Sequence, residues 1–196
     1  MKYLIDTADQ GEINKWKSLV CGVTSNPKIL SKAGIDYAQF INVNSPLFKD
    51  IFVQINSKTS AMNYMRDKVI FKVPLAVTSK FNGYELLKEM IKMKHRTCST
   101  IVYDIAQFDY ACEVGAEFSI VLYAKNDNKN IVDECCDLKK RRGYETKIIA
   151  ASFRSVEHVH DCIKSGADYA TVPPKILKDV FNNFKAASDY IDFYRS

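Results

Sequence analysis

Residues 69–74 read Val69-Ile70-Phe71-Lys72-Val73-Pro74: three apolar residues, a lysine, an apolar residue and a proline. The run lacks the polar alternation of a half-exposed strand, and so predicts a strand of a parallel sheet covered on both faces. Proline has no N–H to give to a central ladder, which sets the end of the strand at Pro74. A lysine inside such a run is unusual, because charged side chains are rarely buried without a reason. Burial disfavours the ammonium and lowers its pKa toward the neutral amine. That amine is the form that attacks a carbonyl to give a Schiff base. The alternative is a strand-end lysine whose stem lies on apolar surface while its ammonium stays in water. The choice between them rests on the rest of the chain.

Outward from this strand, short apolar runs alternate with helical patterns to both ends. Upstream, residues 51–55, 21–23 and 3–5 read as strands. Asp6-Thr7-Ala8-Asp9 supplies N-cap chemistry for a helix over 10–18. The polar turn Thr24-Ser25-Asn26-Pro27 opens a short helix, with Pro27 suited to its first turn. Downstream, strands are predicted over 97–102, 118–122, 146–151 and 169–172, alternating with helices over 83–93, 104–114, 131–142 and 156–165. In the first of these helices Leu86, Leu87, Met90 and Ile91 form one apolar face. Gly166 stops the last of the four, and Pro173-Pro174 opens another. An aromatic amphipathic segment, 184–194, carries Phe184, Ala187, Ile191 and Tyr194 on one side.

Strict strand–helix alternation means right-handed parallel crossovers. Eight such units predict an α/β fold, a (β/α)8 barrel forming a single domain over 1–196, with 184–196 as an extra C-terminal helix. At 196 residues this is a short chain for that fold. An open doubly wound sheet would usually carry a G-x-G-x-x-G or P-loop after an early strand, and neither occurs.

Composition narrows the function classes. A hydrophobic share of 47% with 26% charged residues is that of an ordinary soluble domain. The formal charge of +5 is mild, and the densest basic run, Lys139-Lys140-Arg141-Arg142, closes a helical pattern where cations suit the dipole. No nucleic-acid partner is expected. The six cysteines form no C-x-x-C pair and match no zinc spacing, and several fall in apolar contexts. Free thiols suit a reducing compartment. His158 and His160, two apart on a helix, point in different directions, so no metal site is expected. The first residues lack an apolar signal core, and no run approaches a membrane span. The expectation is a cytoplasmic protein.

In a (β/α)8 barrel, chemistry sits at the C-terminal ends of the strands. Asp6 ends the first strand and Thr24, Ser25 and Asn26 end the second. Gln54 lies in the third, Lys72 in the fourth and Thr100 in the fifth. Lys125 follows the sixth, and Ser152 with Arg154 the seventh. Singly, Asp6 reads as an N-cap, residues 24–26 as a turn, and Gln54 and Thr100 as buried polar groups bonded to one another. Together they ring one mouth with a lysine nucleophile, a carboxylate and cations suited to phosphate.

In sequence order LIDTAD, GVTSNP, FVQI, IFKVP, TIVYDIAQ, GAEF, IIAASFR and GADYATVPP, nearly end to end, resemble the small transaldolases and fructose-6-phosphate aldolases. GVTSNP, KVP and AASFR are the most specific parts. The resemblance implies a Schiff-base aldol enzyme without metal or organic cofactor, acting on sugar phosphates. Lys72 matches the Schiff-base lysine and Asp6 the acid/base carboxylate. Thr100 and Gln54 match positions that hold a catalytic water. Asn26 matches a residue bonded to the dihydroxyacetone hydroxyls, with Thr24 and Ser25 shaping that pocket. Ser152 and Arg154 match the phosphate site, where a planar guanidinium can bond two oxygens.

The family chemistry transfers a dihydroxyacetone unit from a ketose phosphate to an aldose phosphate, or releases it. Its C-terminal helix reaches a neighbouring subunit in a pentamer or decamer, so a homo-oligomer is expected; a helix that simply covers its own barrel is the alternative.

Four departures stand out. Gln54 is the fructose-6-phosphate aldolase residue, where most such transaldolases carry glutamate. The family's active-site Tyr or Phe after the sixth strand falls on Leu122, with Tyr123 one place late. Its loop arginine falls on Lys125, which keeps the charge but loses the fork. Leu75-Ala76 replaces a hydrophobic residue and threonine, with an apparent two-residue insertion before Gly83. Gln54 hints at an aldolase that releases dihydroxyacetone; the altered loop from Leu122 to Lys125 is the best support for a non-catalytic sugar-phosphate-binding relative, which the presence of both Lys72 and Asp6 opposes.

Overall fold

The computed structural model describes residues 1–59, 64, 66–182 and 184–194, with Phe184 and Tyr194 by their backbone only. In chain order β1 (Lys2–Asp6), α1 (Gln10–Trp16), β2 (Gly22–Thr24), α2 (Pro27–Ala33), α3 (Tyr37–Asn44), β3 (Asp50–Gln54) and β4 (Val69–Pro74) form the first half. A short ribbon follows, β5 (Val77–Thr78) and β6 (Phe81–Asn82), then α4 (Gly83–Lys92), β7 (Thr97–Val102), α5 (Ile105–Glu113) and β8 (Phe118–Leu122). The chain continues through α6 (Ile131–Arg142), β9 (Lys147–Ala151), α7 (Val156–Lys164), β10 (Tyr169–Val172), α8 (Pro174–Phe181) and α9 (Phe184–Tyr194). Eight parallel strands close into a barrel in the order β1-β10-β9-β8-β7-β4-β3-β2. This is the expected (β/α)8 architecture.

Closure gives each strand two buried faces. Outward residues such as Ile51, Val53, Phe71 and Val73 pack against the helices with Ile13, Phe40, Leu87 and Phe108. Inward residues form a second core of Leu4, Phe52, Ile70, Cys98, Phe118, Ile120, Ile149 and Ala151. Rings fill its lower part: Phe118 meets Phe52 at 5.2 Å and Tyr169 at 5.6 Å, both edge-on. The barrel is therefore solid below its mouth, as the run at 69–74 requires of a strand covered on both sides.

Two elements went unread in the sequence. Helix α3 starts at a reciprocal cap in which the Asp36 carboxylate accepts from Gln39 N–H while the Gln39 side chain accepts from Asp36 N–H. The presumed insertion before Gly83 is the antiparallel ribbon β5–β6, which pairs Val77 with Asn82 and Thr78 with Phe81. Tail residues 184–194 are helical, and Tyr190, Ile191 and Phe193 are exposed there. Of the predicted aromatic face, the side chains of Phe184 and Tyr194 lie outside the described residues.

Candidate active site

Strand side chains alternate between two faces, so position i+2 repeats the face of i. The inward core therefore predicts the layer above it. Asp6 lies two past Leu4, Gln54 two past Phe52, Lys72 two past Ile70 and Thr100 two past Cys98. By the same arithmetic Leu122, Ala151 and Thr171 complete the ring on β8, β9 and β10. All are at the C-terminal ends of the strands, above the apolar plug.

Lys72 is only 6% exposed. Its ammonium donates to the Ser25 carbonyl oxygen at 2.8 Å, which ties β4 to the turn after β2. Burial pushes its pKa down, against the opposing pull of Asp6 and, less, of Cys98. Asp6 is shifted the other way: burial raises its carboxyl, against the pull of Lys72 and a hydrogen bond from Thr24. Both shifts favour the neutral forms.

The Thr24 hydroxyl donates to Asp6 Oδ1 at 2.7 Å and lies 2.6 Å from the Thr171 hydroxyl. A hydroxyl has one proton. When Thr24 gives it to the carboxylate, Thr171 must donate to Thr24, and a three-member chain orients Asp6 from behind. Thr171 was missed in the sequence, although alternation from Tyr169 identifies its face. Ser25 is fully buried, and its hydroxyl has no partner among the described residues. Asn26 caps α2 through Oδ1, accepting from Ile29 N–H at 3.1 Å, which leaves its amide NH2 as the end able to donate.

The cations lie across the mouth. Lys125 and Arg154 are exposed, and Ser152 is partly so, with a left-handed φ of 70° just past β9. The loop bearing Lys125 is pinned by buried Asn126, whose amide donates to the Tyr103 carbonyl at 2.5 Å. Gln107 does similar work one unit earlier, donating to the Leu75 carbonyl and accepting from Tyr103 N–H. Among the described residues no group of three or more His, Cys, Asp or Glu is arranged to hold a metal, and no helix is long and apolar enough to cross a membrane.

The family model for transaldolase/fructose-6-phosphate aldolase matches residues 49–192. The chain belongs to that family. A probable transaldolase of Sinorhizobium medicae is 29% identical over 194 residues, covering 91% of this chain and 88% of its own. Probable transaldolases of Agathobacter rectalis (26%, over 92% and 89% of the two chains) and Desulfitobacterium hafniense (27%, over 93% and 92%) are similar to it at comparable length. Tyr123 does not bring an aromatic ring to the mouth beside Leu122. It points outward, its hydroxyl donating to Asp161 Oδ2 at 3.1 Å and its ring edge-on to His158. Adjacent strand residues face opposite ways, so an aromatic one place late is in the outer core. The mouth of this transaldolase-family chain is apolar on the β8–β9 side, with Leu122 and Ala151 packed on the inner core.

Proposed function

We propose that this chain is a transaldolase, moving a dihydroxyacetone unit from fructose 6-phosphate or sedoheptulose 7-phosphate to an aldose phosphate through a Schiff base on Lys72. The observation that carries the reading is buried Lys72 above the apolar plug, coupled to the half-buried Asp6, with pKa shifts toward the neutral amine and neutral acid. The amine adds to the C2 carbonyl and loses water to give an iminium. Asp6 relays the protons of that step. With its carboxylate it then takes the C4 hydroxyl proton as the C3–C4 bond breaks, the electrons being held as an enamine on Lys72. The aldose fragment leaves, and the enamine adds to the acceptor aldehyde by the reverse path.

Gln54 and Thr100 hold the water used in proton transfer, and Asn26 bonds the donor hydroxyls within the pocket shaped by Thr24 and Ser25. The phosphate is bound by Arg154, Ser152 and Lys125 beside the start of α7. A second reading, an aldolase that releases dihydroxyacetone, is favoured by Gln54, which pairs with Lys72 in register and lacks the acid of most transaldolases. The exposed apolar side chains of α9 support a homo-oligomer, a pentamer or decamer, and the reading as a whole is of a cytoplasmic enzyme.

The test is intact-mass analysis after borohydride treatment with fructose 6-phosphate, with and without erythrose 4-phosphate. A reduced three-carbon adduct on Lys72, depleted by the acceptor, is the expected result. An adduct that the acceptor does not deplete favours release over transfer. Wild-type turnover in Lys72→Ala would overturn the mechanism.

A further inference from the structure

A cavity of about 610 Å³ opens beside the catalytic layer, and of its lining only Gln54 has a part in the reaction as described so far. Gln54, Pro27, Tyr37, Pro74, Ala76 and Lys80 are among the residues that line it. It adjoins the reactive lysine through two of them: Gln54 is the register partner of Lys72 on β3, and Pro74 ends β4 two residues beyond Lys72. Lys80 is the one charged residue among those that line the cavity.

Strand order fixes which end of a substrate faces this space. In the ring β1-β10-β9-β8-β7-β4-β3-β2, strands β9 and β3 are four apart in either direction and so lie opposite one another. A ketose whose terminal phosphate is held past β9 and whose C2 is bonded to Lys72 on β4 directs C3 back toward β9. Its C1 then points onward to β3. In the proposed reaction Asn26 bonds the bare hydroxyl of the donor, and the next residue, Pro27, lines the cavity beyond.

The walls of that cavity are built. Gly83 N–H donates to the Ala76 carbonyl at 2.9 Å, closing the β5–β6 ribbon onto the end of β4. A Cβ on Gly83 would lie 1.7 Å from the Pro74 carbonyl oxygen, so the approach is possible only for glycine. Lys80 sits in the ribbon's turn, its N–H donating to the Thr78 hydroxyl at 3.3 Å. Its charge is thereby carried on a two-stranded frame at the rim. The Tyr37 hydroxyl is buried against the Gln54 backbone and has no hydrogen-bond partner of good geometry among the described residues. A buried donor in that state calls for an acceptor, and a phosphate oxygen is one.

We infer that the cavity is a subsite for a phosphate carried on C1 of the donor, so that the chain also handles dihydroxyacetone phosphate units from ketose 1-phosphates or 1,6-bisphosphates. The inference rests on the Schiff-base reading of Lys72 and on a terminal phosphate held at β9. The chemistry is unchanged: an imine forms at C2 with loss of water, C3–C4 breaks, and the C1 phosphate ester stays intact.

Borohydride trapping with dihydroxyacetone phosphate and with dihydroxyacetone, each titrated and mapped by peptide mass, tests it. Wild type should yield both adducts on Lys72, with half-maximal trapping at least about ten-fold lower in concentration for the phosphate ester, the effect of one charge-assisted contact. Lys80→Ala, at an exposed turn position that tolerates substitution, should reduce that preference about ten-fold, and Lys80→Arg should restore it. A dihydroxyacetone adduct on Lys72 with no preference for the phosphate ester, or a preference untouched by Lys80→Ala, would remove the subsite and leave the Schiff-base reading standing. A preference lost in Arg154→Ala instead would put the C1 phosphate at β9 and equally overturn it. No adduct with either ketone would overturn both readings.

Discussion

Buried Lys72 and half-buried Asp6 share one layer, and each shifts the proton affinity of the other. Burial lowers the lysine and raises the carboxyl, while their mutual attraction opposes both shifts. A signed prediction follows from the opposing part. Asp6→Asn removes the negative charge that raises the Lys72 pKa, so the amine becomes neutral at lower pH. The residual rate of imine trapping in Asp6→Asn should therefore reach its half-maximum at a more acidic pH than in wild type. Turnover should fall about 10²–10⁴-fold for want of the proton relay. A midpoint displaced to higher pH would mean that Asp6 is not what holds the lysine charged. Most of this layer was legible as residue types at strand ends, because alternation carries the inward face from one residue to the next but one. Thr171 escaped because threonine in a strand is ordinary, and only its 2.6 Å contact with Thr24 marks it. Leu122 at the mouth was legible from alternation, but the direction of Tyr123 required the fold.

At the scale of elements, the eight strands were readable because each is an apolar run of three to six residues bounded by polar turns. The ribbon β5–β6 was not, since two-residue strands carry no period and exist by virtue of what they pack against. Its signature is Gly83. Replacing this glycine with alanine brings a methyl within 1.7 Å of the Pro74 carbonyl oxygen, which the end of β4 cannot yield without moving. Gly83→Ala should cost about 1–3 kcal/mol in urea unfolding, on the scale of core overpacking. Because the displaced group is two residues past Lys72, it should also slow imine trapping in the folded protein. A variant with wild-type stability would show that the ribbon can lift away from β4 freely. Helix α3 was missed for a different reason. Its reciprocal cap, Asp36 with Gln39, is a local sequence signature, but a helix was already assigned to the second unit and a repeating βα pattern left no place for another.

Across the whole molecule the two ends of the barrel differ: the proposed chemistry lies at the C-terminal ends of the strands, and a clamp at the other. Arg96, just ahead of β7, bonds the Glu117 carboxylate through Nε at 2.9 Å and Nη2 at 2.6 Å, and Asp50 through Nη1 at 2.8 Å. Asp50 opens β3 and Glu117 precedes β8, so one guanidinium ties strands on both sides of β4 and β7. The paired acids hold its pKa above the usual arginine value, so it is charged at every pH at which the chain is folded. The apolar plug, from Phe118 to Ile149, separates this clamp from Lys72. Arg96→Met should therefore lower stability without touching the reaction. The groups are partly open to solvent, with side-chain exposures of 33% for Arg96 and 40% for Glu117, which places the loss at about 1–2 kcal/mol, toward the lower end for hydrogen bonds to charge. In urea the unfolding midpoint should fall accordingly, with the rate of Lys72 trapping in the folded protein unchanged. A parallel loss of trapping would mean that the clamp is transmitted through the plug to β4. The close packing of Phe52, Phe118 and Tyr169 argues that the rings hold their places when only the charges beneath them are removed.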